Sequence, residues 1–302
     1  MRRTLWATTA STLAASLVIG LSACSDSTTP SGGAELSASE TNDVGEAVAD
    51  EVDQSVGSLT AEGAASGEAS AQSAVAYSVV GLTLRGAGCA TVSSSVDTDG
   101  DFAPDLATFT FALPACHFTG FRGGTLDITG TVDLTDPTPN DYDFAFQATL
   151  HDLTFVFTGP QGNLSFTAVR NGSRVLTGDA NGLVLTNNIT VNRTFPVRAP
   201  ASVTHDLVLT FTPDQGSSIV LGQPLPSGTF VKAGTFTWSR GSVSRTFTVT
   251  TVAPLVWDSS CTTDRKIASG EIHATLSDGS YVKTVWNGCG VDPVRTFVPA
   301  SS

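Results

Sequence analysis

Lysine is nearly missing from this chain. Lys232, Lys266 and Lys283 are the only three, and Glu271 is the only glutamate beyond Glu68. Ten acids and no Lys or Arg lie between Ser25 and Ser70, a segment that phosphate backbones repel, and nucleic acid is not an expected partner. No long run at helical period follows Ala76, which excludes a parallel sheet, because its crossovers need helices. Catalytic signatures are also missing: there is no GxSxG elbow, HExxH, P-loop, or GxGxxG between a strand and a helix. His117, His151, His205 and His273 are widely separated along the chain. A lone strand histidine is ordinarily a surface or packing residue. No CxxC pair occurs, which argues against a zinc site of the usual spacing.

What is present begins at the N-terminus. Two arginines, an apolar run through Leu17, Val18 and Ile19, and small residues ending in a cysteine make up 1-MRRTLWATTASTLAASLVIGLSAC-24. These are the three regions of a secretory signal, too short for a membrane span. Leu21-Ser22-Ala23-Cys24 resembles the lipobox of bacterial lipoproteins. The resemblance implies removal of residues 1–23 and diacylation of Cys24, so that the membrane is met through acyl chains. Ser25 in place of Asp resembles the signal for release to the outer membrane or cell surface, although Asp26 follows. Residues 24–42 read as a lipidated flexible tether, and ten acids with no Lys or Arg lie between Ser25 and Ser70, where much of the net charge of −13 resides.

Within that acidic stretch, Val44, Val48, Val52, Val56 and Leu59 recur at helical spacing, so 43–59 is a candidate amphipathic helix, with Asp43 and Glu46 as its capping pair. It either docks under a sheet or binds a partner; Gly45 and Gly57 favour instead a marginal helix in the tether. Residues 60–75 read as a linker.

From Ala76 to Ser302, about 225 residues read as one antiparallel all-β domain, a meander closed as a barrel, a sandwich or a curved sheet. Apolar and polar residues alternate in 109-FTFAL-113 and 142-YDFAFQATL-150. The apolar parity switches after His151-Asp152, which demands a tight turn or a bulge there. Asn171-Gly172 and Asp278-Gly279 read as type I′ hairpin turns, and Arg240-Gly241 as a weaker one. Four cysteines remain after the signal, an even number in an exported chain. Three pairings are open, and short local loops favour Cys89 with Cys116 and Cys261 with Cys289.

The one chemically loaded stretch is 97-DTDGDFAPD-105. The carboxylates of Asp97, Asp99 and Asp101, the main-chain carbonyl of Ala103 and the carboxylate of Asp105 have the spacing to converge on a hard cation, with calcium as the expected ion. The stretch resembles a single thrombospondin type 3 calcium loop, from which it departs at Phe102, where those loops have glycine. A solvated Asp/Gly turn is the competing reading. Asp141 with Asp143, after 136-DPTPN-140, reads as a strand start rather than a catalytic pair. The expectation is thus a lipid-anchored, non-catalytic envelope protein. Two rivals stand beside it: a carrier of an apolar ligand in a cavity lined by residues such as Phe144, Phe155, Phe211 and Trp238, and a hydrolase whose site is assembled from distant residues.

Overall fold

The computed structural model describes residues 36–52 in part and 89–301 apart from 94–95, 101–103, 122–123, 142, 160–164, 198, 221–222 and 264–265. The signal peptide, Cys24, most of the tether and the 60–75 linker lie outside the described residues. Among the described residues thirteen strands form one antiparallel sheet: β1 (Thr91–Ser93), β2 (Leu106–Phe111), β3 (His117–Phe121), β4 (Gly124–Thr135), β5 (Phe146–Thr158), β6 (Phe166–Asp179), β7 (Gly182–Thr194), β8 (Ala201–Pro213), β9 (Gly228–Arg240), β10 (Val243–Trp257), β11 (Ile267–Thr275), β12 (Tyr281–Trp286) and β13 (Val294–Val298). Each strand from β4 onward pairs with the next in sequence, β2 pairs β4, and β3 hangs off the path on β4. Of the closures left open by the sequence, the barrel is corrected: the sheet is open, with β1 and β13 at its edges.

Register follows from burial on one face. A row of paired residues crosses the inner face from Ala148 through Arg174, Asn187, Leu207, Gly234, Val249, Ala274 and Val282 to Phe297. The opposite face is wet: Asn171, Thr190, Thr204, Thr237 and Thr246 form a cross-strand row in which threonine hydroxyls bond at 3.1 and 2.9 Å. Phe211 and Phe230, with ring centres 4.7 Å apart, and Phe236 stacked on Phe247 at 4.8 Å fill the inner side. Eleven strand spacings of about 4.8 Å make a surface far wider than one helix of about 10 Å. Curling of the sheet about its own apolar face must therefore close most of the core.

One helix, α1 (described at 40–45, 47–49 and 52), closes the rest. Val44, Val48 and Val52 are only 0, 4 and 0 % exposed, so the stripe read from the sequence docks on the sheet's core. Each such valine contributes about 1.5 kcal/mol or more. The start of the helix differs from expectation. Ser37, not Asp43, is the cap: Glu40 N–H donates to Ser37 Oγ at 3.3 Å, and Ser37 N–H donates to Glu40 Oε2 at 2.9 Å, a reciprocal capping box. The Ser37 N–H first, and then the Ser37 hydroxyl, which donates to Glu40 Oε2 at 2.8 Å, hold the Glu40 carboxyl below its ordinary range. Asp43 instead pairs with Arg240 at the end of β9, and Gly45 leaves room for the Arg295 side chain of β13.

The expected parity switch is a β-bulge. Register jumps between Leu150 and Leu153, Asp152 takes φ 47°, and its backbone N–H is received by Asn171 Oδ1 at 2.7 Å. Asn171-Gly172, expected as a hairpin turn, lies inside β6, which runs on to Asp179; the turn comes at Ala180 and Asn181. Gly172 is needed there because the adjoining β7 backbone comes close, not because the chain reverses. Asp278-Gly279 does turn the chain, but not as type I′, since Asp278 lacks positive φ. Gly279 N–H donates to Leu276 O, Leu276 N–H donates to Ser280 O, and Gly279 takes φ 87°, the pattern of a type I turn with a glycine bulge. β9 does close on β10, but through Gly241-Ser242, one residue later than the expected Arg240-Gly241, since Arg240 pairs with Val243. The strand expected from Tyr142 begins at Phe146. Both favoured cysteine pairs lie at disulfide distance, with Cα separations of 5.0 Å for Cys89 and Cys116 and 6.2 Å for Cys261 and Cys289.

Candidate metal centre

Residues 94–105 are an excursion between β1 and β2, whose pairing at Ser93 and Thr108 brings its ends together. The excursion closes through Asp105 N–H, which donates to Val96 O at 2.7 Å. Two of the sequence-derived ligands already work within the loop. Asp97 Oδ1 accepts the Gly100 N–H at 2.7 Å, a turn that Gly100 completes at φ 80°. Asp105 accepts Thr98 N–H at 3.1 Å and Thr98 Oγ1–H at 2.6 Å. Each carboxylate oxygen has a second lone pair, so these bonds orient the groups without using them up. Asp99 is half-buried. Asp101 and Ala103 lie outside the described residues.

A carboxylate that sequence reading passed over completes the picture. The Leu106–Thr135 pairing carries Asp136 beneath the loop, where its N–H donates to Pro104 O at 3.0 Å. Asp136 is only 5 % exposed. Its Oδ1 accepts Thr138 N–H at 2.7 Å. The Thr138 hydroxyl has one proton and two acceptors: Asp143 Oδ2 at 2.7 Å and Asp136 Oδ1 at 3.3 Å. The shorter contact takes the proton. Asp143 Oδ1 accepts Ala145 N–H at 2.5 Å, so Asp143 is a loop brace just ahead of β5. Asp136 Oδ2 is buried and accepts no hydrogen bond. Burial pushes the Asp136 carboxyl above its ordinary range, and the charges of Asp99 and Asp143 push the same way.

The remaining clusters are differently built. Asp258, Cys261 and Cys289 approach one another within 4.8 Å, but the two sulfurs lie at disulfide distance from each other and offer no thiolate. Three histidines each meet a carboxylate on a strand surface: His117 with Asp127 at 2.5 Å, His151 with Asp133 at 3.1 Å, and His273 with Glu271 at 2.6 Å. Asp133 also accepts the Thr108 hydroxyl, and His273 stacks on Tyr281. His205 is buried and stacks on Phe236. A cleft of about 460 Å³ is lined mainly by polar groups, Ser244, Arg245, Thr246, Thr248, Thr275 and Ser277, with Leu276. Of the aromatic residues proposed for a ligand cavity, Phe155, Phe211 and Trp238 are buried members of the core.

Comparison of the chain with protein-family models, curated proteins and solved structures finds no match. The buried polar residues Arg174, Asn187 and Lys232 on the inner face escaped sequence reading, and His205, also buried there, is the packing residue that reading allowed. They sit at core positions of the alternation, β6 through β9, and the period-2 pattern itself was their signal. Among the described residues no helix is long and apolar enough to cross a membrane.

Proposed function

We propose that this chain is an exported lipoprotein, diacylated on Cys24, whose β domain serves a non-catalytic structural or binding role at the outer membrane or cell surface. The observation that carries the reading is Leu21-Ser22-Ala23-Cys24 behind two arginines and an apolar run. Cysteine pairs at disulfide distance support it, because such bonds persist in oxidising compartments outside the cytosol. Anchoring through acyl chains gives about 0.8 kcal/mol per buried methylene, and two or more chains hold stably.

The same reading assigns calcium to the 97–105 loop as a structural ion, through Asp97, Asp99, Asp101, Asp105 and the Ala103 carbonyl. Oxygen-only ligands at alternating positions suit a hard cation. Affinity in the range of about 10⁻⁴ to 10⁻³ M, typical of extracellular modules, is expected.

The test of anchoring is Cys24→Ser. The variant is expected to lose acylation, to remain uncleaved by the lipoprotein peptidase, and to leave the membrane fraction. Sedimentation with membranes and a mature mass that are both unchanged would refute it.

A further inference from the structure

We propose that the free edge of β10 at residues 243–247 is a docking site for an extended peptide strand carrying an acidic residue, taken up antiparallel as a continuation of β11. The inference is independent of the anchoring of Cys24 and of the 97–105 loop.

The sheet has a step at this place. β10 pairs with β9 from Val243 on Arg240 to Phe247 on Phe236, but its pairing with β11 starts only at Thr248, which faces Thr275. β11 stops there because the chain reverses between Leu276 and Ser280 into β12. The β9–β10 hairpin therefore projects past β11 by residues 243–247, a length of about 17 Å.

Which main-chain groups face the step follows from the ladder. Gly241 N–H donates to Pro200 O, so Gly241 and, at every second residue, Ser239 and Thr237 turn their polar groups to β8. Arg240, Trp238 and Phe236 thus turn theirs to β10, where they meet Val243, Arg245 and Phe247. Ser244 and Thr246 point N–H and C=O away from β9 into the step, and no described strand receives them. A cleft of about 460 Å³ lies against this edge, with Thr275, Leu276 and Ser277 at one end. An unpaired edge of this kind is a template for a further strand, whose main-chain bonds supply affinity.

Two features select the occupant. The residue of an added strand opposite Arg245 falls on the same face of the sheet as that guanidinium, which lines the cleft and pairs with Glu40 only at 4.0 Å. A carboxylate there is complementary in charge, and a lysine is repelled. The full edge cannot pair with its own copy. Setting 243 against 247 about a two-fold axis brings Ser242 of one copy to Thr248 of the other, a place that Thr275 already fills. The free ends of a short peptide avoid this collision.

The experiment adds end-blocked peptides to the isotope-labelled full chain and follows its amide resonances. The probes are Val-Thr-Asp-Thr-Val, the same peptide with Lys for Asp, and the Asp peptide N-methylated at both Thr amides, which are the ones that must reach Ser244 and Thr246. The expected result with the Asp peptide is a saturable shift of the Ser244 and Thr246 resonances at about millimolar concentration. The Lys peptide should bind at least threefold more weakly, and the methylated peptide should leave both resonances in place. Thr246→Pro removes an N–H that β9 does not use, so it should melt close to the wild type yet lose peptide binding. Should it fail to fold, the methylated peptide decides alone. Stationary Ser244 and Thr246 resonances with the Asp peptide, or equal binding of the methylated one, overturn the proposal; equal binding of the Lys peptide overturns the acidic occupant. Dimerisation of the chain that Thr246→Pro abolishes assigns the edge to a second copy and overturns it as well.

Discussion

Replacing Gly172 with alanine tests why β6 continues where a turn was expected. Gly172 sits in the middle of the sheet, paired with Leu150 on one side and Ile189 on the other, at φ 130°. A methyl group built there would stand 2.1 Å from Asn188 O and 2.9 Å from Ile189 Cα, both backbone atoms of β7. Neither can swing away as a side chain would. Relief requires moving one strand by roughly an ångström, at a cost of about 1 kcal/mol net per ladder hydrogen bond lost. The backbone angle itself adds about 1–3 kcal/mol for a residue with a side chain. With two such bonds lost, these together predict a loss of about 3–5 kcal/mol, or roughly 6–20 °C in melting temperature at about 2–4 °C per kcal/mol for a domain of this size. Gly216→Ala is the control: it has positive φ, 86°, but no atom within 4 Å of the added methyl, and should cost about 1 kcal/mol. Thermal and urea unfolding by far-ultraviolet circular dichroism, with disulfides intact and one scan rate, compares the two. Equal losses in both variants would show that β7 does not crowd Gly172 and would refute the reasoning.

Two further predictions concern charge and docking. The Glu271 carboxyl is held below its ordinary range by a hydrogen bond from Lys283 first, then by His273. A depressed folded pKa stabilises above the unfolded value of 4.5 and loses that contribution as pH falls through the folded value. Glu271→Gln should therefore be less stable than the wild type by no more than about 1 kcal/mol at neutral pH, with the gap closing below pH 4.5; a gap that widens on acidification contradicts the pairing. Val44→Asp places a carboxylate where the side chain is wholly buried, at a cost of several kcal/mol that exceeds what one helical turn contributes. The helix should undock, with binding of an apolar-surface dye and most of the β signal kept; absence of dye binding at unchanged stability would contradict the docking of α1.

How much of this was legible in the sequence depended on the distance over which each signal acts. The bulge at His151-Asp152 was readable because a change of parity is local and has only two explanations. Asn171-Gly172 was misread because the dipeptide is equally suited to a turn and to a crowded strand. Only the pairing of β6 with Ile189 tells them apart, and β6 at fourteen residues is more than twice an ordinary strand. The helical stripe at Val44, Val48 and Val52 was plain, while its cap was placed one turn late; Ser37 and Glu40 have the spacing of a capping box but precede the first apolar residue by several positions. Asp97, Asp99 and Asp105 were marked as candidate ligands by their spacing alone. The burial of Asp136 was not legible, because the register of β2 on β4, where Leu106 faces Thr135, sets it. A proline-flanked aspartate after a strand carries no mark of what lies across from it.

The position of α1 has a consequence for the order of assembly. Its described ion pairs are with Arg240 and Arg245, on β9 and β10, and the aliphatic part of Arg295, on β13, lies against Gly45. A ribosome makes the helix first and these strands last. Closing a loop of roughly two hundred residues before the sheet exists is far more costly than zipping each hairpin onto its predecessor. The meander therefore grows strand by strand while the helix waits, and its docking seals an apolar face that stays open until β13 arrives. During that wait the valine stripe is a hazard to neighbouring chains. Asp43, Glu46, Asp50 and Glu51, interleaved with those valines, give the waiting segment a charge that keeps like copies apart. The acidity nearest the N-terminus thus protects the chain during the interval before its last strand is in place.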